Sequence, residues 1–374
     1  MTTTWSDVLS WRMEQSGLSE RAGSVTEVAE TLVGVHAQVA SSAEIALSLR
    51  GMGVAPTSVE QALWIDRSLI KSWTARGTLH LVTPVDLALW CGVMAARGSY
   101  WDKPAWERYH GVTARDMDRV LRAVAEELPG HCFTRVELAE RIGKASGQSQ
   151  LAERIMGSWG GAIKPPAYRG LLCFGPSEGR NITFVAPSDW IGDGWEPVEA
   201  DEALATVARR YVTTYGPITK ADLGRWMGVE ATLARKAFES IADQLVPIDV
   251  EGEARFTTAT AIDEISAKRP RDRVRLLPAF DPYVVGVLEH LERLLPDPKL
   301  RSKVSRAAGW ISATVLLDGK IVGVWRYERT GGSIEMTVEH FGRPSKSLRR
   351  SVDEQIEGMR NLLARLPEQS EEPA

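Results

Sequence analysis

Apolar residues in the first third of the chain recur at helical spacing. In "SVTEVAETLVGV" (24–35), Val25, Val28, Leu32 and Val33 share one face, and Ser24 with Glu27 three residues on has the spacing of a capping box. "TSVEQALWIDRSLIKSW" (57–73) repeats the pattern, with Thr57 as the predicted cap and Glu60 at the third position. The period then changes to two. Residues 78–82 alternate as a strand does, after a turn at Gly77, and Pro84 ends the run.

Helices followed by a short hairpin are the plan of a winged helix, and the plan recurs. "FTRVELAERIG" (133–143) predicts a helix capped by Thr134, and "LLCFGPSEGRNITFVAP" (171–187) predicts strands 171–174 and 182–185 around a Gly/Pro/Ser turn. In the third copy "YGPITKADLGRWMGV" (215–229) predicts a capped helix that turns at Gly228. "TLARKAFESIADQLVPI" (232–248) supplies a second, recognition-type helix, and "VPIDVEGEARFTTA" (246–259) a wing that turns at Glu251, Gly252 and Glu253. The last segment differs. "ISATVLLDGKIVGVWRYERTGGSIEMTVEHF" (311–341) places Asp318-Gly319 and Gly331-Gly332 turns between alternating strands, and "SKSLRRSVDEQIEGMRNLLARL" (345–366) reads as an amphipathic closing helix.

The predicted fold class is therefore α+β, with three tandem winged-helix units and a C-terminal β-rich portion. The expected boundaries are 1–110, 111–198, 199–265 and 266–364, with a tail at 365–374 expected to be disordered. Hydrophobic content of 44% and charged content of 25% are those of a soluble globular chain. Cys91, Cys132 and Cys173 are odd in number and far apart, which argues against a disulfide framework or a zinc site and predicts a cytoplasmic protein. No basic-then-apolar leader and no run of eighteen apolar residues is present, so no membrane partner is expected.

Charge adds a partner. The net charge of −4 speaks against a polyanion, but its distribution does not. Residues 268–350 hold 17 Lys and Arg against 9 Asp and Glu, net +8, which leaves −12 for the remainder. "KRPRDRVR" contributes Lys268, Arg269, Arg271, Arg273 and Arg275, and "KLRSKVSR" contributes Lys299, Arg301 and Lys303. Each cluster alone reads as a solvated face. Together they are candidate DNA-binding cations, and winged helices in tandem suit one asymmetric site on a duplex better than a palindrome read by a dimer, so a monomer is expected.

One polar pair interrupts an apolar run. In "GVHAQVA" (34–40), His36 and Gln38 lie two apart, and on an extended backbone both point to one side, with Val35, Ala37 and Val39 in packing. On a helix the two diverge, and the alternative is a histidine capping a helix end with Gln38 solvated.

Four stretches carry a resemblance: "SGLSERAGSVTEVAETLVGVHAQ", "KSWTARGTLHLVTPVDLALW", "YGPITKADLGRWMG" and "LLPAFDPYVVG". In this order, from about residue 8 to about residue 326, they resemble the winged-helix DNA glycosylase family of AlkZ-like proteins. The resemblance implies three winged helices forming a concave scaffold, removal of bulky N7-alkylated purines from duplex DNA, and protection of a producer from its own DNA-alkylating product. The family's catalytic tripeptide is Gln-aliphatic-Gln, with a Gln-x-Asp variant, and the aligned residues are His36-Ala37-Gln38. Gln38 matches and His36 departs, which leaves open a changed substrate range, a changed way of holding water, or lost catalysis.

The other candidates are weaker. His80 is a possible pocket residue on the first hairpin, or a satisfied strand histidine, and Trp73 a possible stacking residue or plain core. Lys71, Arg76 and Arg180, the last at a hairpin tip, are further candidate DNA contacts. Asp281 reads as support for a tight turn. Lys71 is the first lysine after His36, so the sequence favours a monofunctional hydrolysis over a Schiff-base lyase. No motif has cofactor or metal spacing, so none is expected. The alternative function is a winged-helix DNA-binding protein without catalysis, a transcription regulator or a lesion-sequestering protein.

Overall fold

The computed structural model describes residues 3–19, 23–157, 160–192, 194–267, 273–330 and 333–366. The chain divides into two compact units. One comprises 1–60, 209–226 and 241–374, and the other 61–208 and 227–240.

In the first unit the capping box read at Ser24 is present: the Ser24 hydroxyl accepts from the Glu27 N–H, and the Glu27 carboxylate accepts from the Ser24 N–H, at the start of the Val25–Thr31 helix. A four-stranded antiparallel sheet forms from Val274–Leu277, Thr314–Leu317, Lys320–Thr330 and Ser333–His340, each beside the next. Asp318 and Gly319, both with positive φ (48° and 84°), close the Thr314–Leu317/Lys320–Thr330 hairpin, the geometry that an Asp-Gly pair favours. The closing helix is Lys346–Leu363, capped by Ser345. Its Val352, Met359 and Leu363 pack with Val274, Leu276, Val315 and Trp325 of the sheet and with Ile45. A second core joins Trp5, Val8 and Trp11 of the first helix to Val250, Ala261 and Ile265.

A buried polar network lies in the same unit. The His290 ring has Arg12 Nη2 3.0 Å from Nδ1, and Asp222 Oδ2 (3.1 Å) and Arg255 Nη1 (2.7 Å) beside Nε2. Both ring nitrogens face a guanidinium, but only Nε2 also faces a carboxylate, so the tautomer with the proton on Nε2 lets it donate to Asp222 while Nδ1 accepts from Arg12. Burial first, and the two guanidinium groups in addition, push the His290 imidazole down to about 4 despite the carboxylate. Burial opposes ionisation of Asp222 too, but hydrogen bonds from His290 and Thr219 outweigh it and hold the carboxyl below its usual range.

In the second unit the first hairpin pairs Ile70–Trp73 with Leu79–Val82. A three-stranded sheet holds Asn181–Val185 between Cys132–Thr134 and Cys173–Glu178. The sequence put this second hairpin's turn at Gly/Pro/Ser, but residues 175–178 form an irregularity within the strand pair, and the tip lies at Gly179 and Arg180. Pro176 has no N–H for the ladder, and the Thr183 hydroxyl donates to its carbonyl instead, at 2.7 Å. Thr57 is not a cap either: its helix begins at Pro56. The cap at Thr134, with Glu137, forms as read.

Candidate active site

The chain leaves the Val25–Thr31 helix through Val33 (φ 57°) and Gly34 (φ 107°), both left-handed, and runs extended through Val35–His36 before the Ala40–Arg50 helix begins. The backbone here is therefore not helical. Its burial does not alternate, however. Val35, His36 and Ala37 are all buried and Gln38 is exposed at a bend. The pair therefore presents a buried imidazole next to a carboxamide in contact with solvent.

His36 lies flat on a phenyl ring. Its imidazole and the ring of Phe280 are stacked, 4.8 Å between centroids and 6° between planes. Phe280 holds φ at 57°, a costly conformation for a bulky side chain, on the order of 1–3 kcal/mol. Neighbouring groups fix it there. Asp281 accepts from the Tyr283 N–H (2.9 Å) to cap the Pro282–Val285 helix, which makes it the turn support the sequence suggested. It also takes a two-pronged ion pair from Arg50, at 2.7 and 3.0 Å, with both side chains buried. Arg50 donates further to the carbonyls of Ser16 (2.7 Å) and Ala46 (2.9 Å). Because Arg50 ends the helix that begins just after Gln38, this fork ties the Phe280 turn to the element carrying the His-x-Gln stretch. The Phe280 N–H donates to the Ile311 carbonyl (3.3 Å), and the Trp310 ring meets the Phe280 ring edge-on at 5.0 Å.

The remaining candidates fall in several places. Trp73, His80, Lys71, Arg76 and Arg180 belong to the second unit. Trp73 is buried against Phe174 (4.7 Å) and Phe184 (6.2 Å), a core position. His80 is buried opposite Ser72, and its Nδ1, 3.0 Å from the Thr78 carbonyl, must carry the proton. The Lys71 ammonium lies 5.3 Å from the Phe174 ring. Arg76 is left-handed (φ 56°) and Gly228 presses on its backbone, so that a Cβ on Gly228 would come within 2.6 Å of the Arg76 Cα. Arg180 is exposed at its hairpin tip.

In the first unit, Arg273 pairs with Glu14 (3.3 Å) and donates to the Ser19 hydroxyl, while Arg275 donates to the Leu18 carbonyl (2.8 Å). Both hold the N-terminal helix region to the sheet. Lys299, Arg301 and Lys303 are exposed, and Lys303 pairs with Glu339 at 3.1 Å. Lys268, Arg269 and Arg271 lie outside the described residues, as does the tail from 367 on. Among the described residues no three His, Cys, Asp or Glu side chains are grouped to hold a metal, and no helix is long and apolar enough to cross a membrane.

Sequence reasoning missed Phe280 and Trp310. Phe280 stood beside the Asp281 that was singled out, but no local spacing links residue 280 to residue 36.

The family model for DNA glycosylase AlkZ-like proteins matches residues 29–362. An interstrand DNA cross-link repair glycosylase of Streptomyces sahachiroi is 40% identical over 330 residues, covering 87% of this chain and 88% of that one. The solved structure of the Streptomyces sahachiroi DNA glycosylase AlkZ superposes with a TM-score of 0.88 at 37% identity, covering 98% of this chain and 97% of that one. By sequence and by fold, the chain belongs to the AlkZ-like DNA glycosylase family.

Proposed function

We propose that the protein is a monofunctional glycosylase that hydrolyses the N-glycosidic bond of bulky N7-alkylguanine adducts in duplex DNA, with water positioned by His36 and Gln38. Alkylation at N7 leaves the base positively charged, so it departs without being protonated. What remains is to hold water against C1′ and to support the oxocarbenium-like transition state. The C1′–N9 bond breaks, a C1′–O bond forms, and the water loses a proton. A neutral imidazole accepts that proton, and a carboxamide both accepts from and donates to the same water. The observation that carries this reading is the His-x-Gln geometry: a buried His36 whose plane is fixed by Phe280, two residues from an exposed Gln38, in the stretch whose resemblance suggests the family's tripeptide.

The protein acts as a monomer on double-stranded DNA, and self-resistance to a genotoxic alkylating natural product is its biological role. The cross-link in the relative's name is a bulky adduct on each strand, which fits the same substrate class. The test is direct. Duplexes with several bulky N7-guanine adducts are incubated with the protein and heated in alkali, which breaks strands at abasic sites. Breaks at the adducted guanine are expected. Intact strands across all adducts contradict the reading and favour a protein that only binds DNA.

A further inference from the structure

We infer that Trp310 is a specificity-determining residue that stacks on a planar aromatic group of the damaged nucleotide. The inference rests on the glycosylase reading above, and it begins from the ring contacts of one unit. Three rings run in sequence: His36, 5% exposed, stacked on Phe280, and Phe280 met edge-on by Trp310, 38% exposed. The series leads from the buried imidazole to the surface. Its outer member is a large, partly exposed apolar side chain, the kind of group that stacks on a base or another planar ring.

The backbone of the loop that carries this indole is held by local hydrogen bonds. Ala308 (φ 56°) and Gly309 (φ 75°) turn the loop, the Arg306 N–H donates to the Trp310 carbonyl (2.8 Å), and the Trp310 N–H donates to the Ala307 carbonyl (3.3 Å). Ser305 and Ile311 bridge its base. A preorganised aromatic group loses little freedom on binding.

The surrounding charge selects the partner. Lys299, Arg301 and Arg306 are exposed on the segment leading to Trp310, with Lys303 there held by Glu339. An exposed aromatic group beside clustered cations suits a polyanion that offers a planar ring, which describes an unstacked nucleotide or an aryl-bearing adduct on DNA.

The test separates binding from turnover. Affinity is measured for three otherwise identical duplexes: undamaged, with N7-methylguanine, and with an N7-guanine adduct bearing a planar aryl group. Wild type is compared with Trp310→Ala and Trp310→Phe. The expected result is a loss of about tenfold in the preference for damaged over undamaged duplex in Trp310→Ala, largely restored in Trp310→Phe. A loss confined to the aryl adduct identifies the adduct's own ring as the stacking partner, and an equal loss on both damaged duplexes identifies the base. A preference unchanged within twofold in Trp310→Ala overturns the inference. Excision by wild type on the same duplexes is scored separately. Its absence contradicts the glycosylase reading, whichever way the binding preference moves.

Discussion

Two buried histidines in one unit show how differently the same side chain is used. His290 is 3% exposed and sits among Arg12, Arg255 and Asp222, where charged groups fix its tautomer and burial keeps it neutral. His36 is 5% exposed but meets the flat face of Phe280, beside an exposed glutamine and a ring series that reaches the surface. The first arrangement joins the third helix-and-hairpin segment to the N-terminal helix, and its value is in stability. The second holds a buried imidazole flat against a ring two residues from a solvent-exposed carboxamide, which is the arrangement the proposed function uses for chemistry.

The largest expected effect tests the frame of the His36 site. Arg50→Met leaves Asp281 buried without its cation, and unfolding in urea is expected to show a loss of about 3–5 kcal/mol. A loss below 1 kcal/mol would mean that the fork does not hold the Phe280 turn.

The His290 side of the comparison is tested by pH. The folded imidazole titrates near 4 and the unfolded one near 6.5, so between those values the unfolded chain binds more protons. Stability is therefore expected to fall as pH drops from above 6.5 toward 4, and His290→Gln is expected to flatten that decline. A decline of the same steepness in the variant assigns it to other groups.

A smaller effect is expected at Gln38. Gln38→Ala removes one of the two groups proposed to orient the water, and single-turnover excision is expected to slow by about tenfold, with duplex affinity within twofold of wild type. Lost affinity with an unchanged rate would make Gln38 a DNA contact instead.

Local chemistry made much of the fold legible. Ser24 with Glu27, Thr134 with Glu137, Asp318 with Gly319, and the periodic helix closing at Leu363 are short-range signals that each specify their own element. The misreadings were local too: Pro176 sat inside a strand pair, and Thr57 stood one residue inside its helix. At the site, the His-x-Gln spacing was visible, and the extended backbone follows from Gly34. The stack on Phe280 was not visible, because 244 residues separate the two rings and only tertiary packing unites them. The basic clusters were only partly legible. Arg273 and Arg275 read as a solvated face or as DNA contacts, and their guanidinium groups also bind the Glu14–Ser19 region, an intramolecular role that charge counting cannot show.

The central claim is that His36 takes part in water attack at C1′. It is tested most directly by single-turnover excision of an N7-alkylguanine adduct by His36→Ala and wild type, with duplex affinity measured alongside. A slowing of about a hundredfold at unchanged affinity is the predicted result. Excision within threefold of wild type would contradict it and would place His36 with His290, as a histidine that serves the fold.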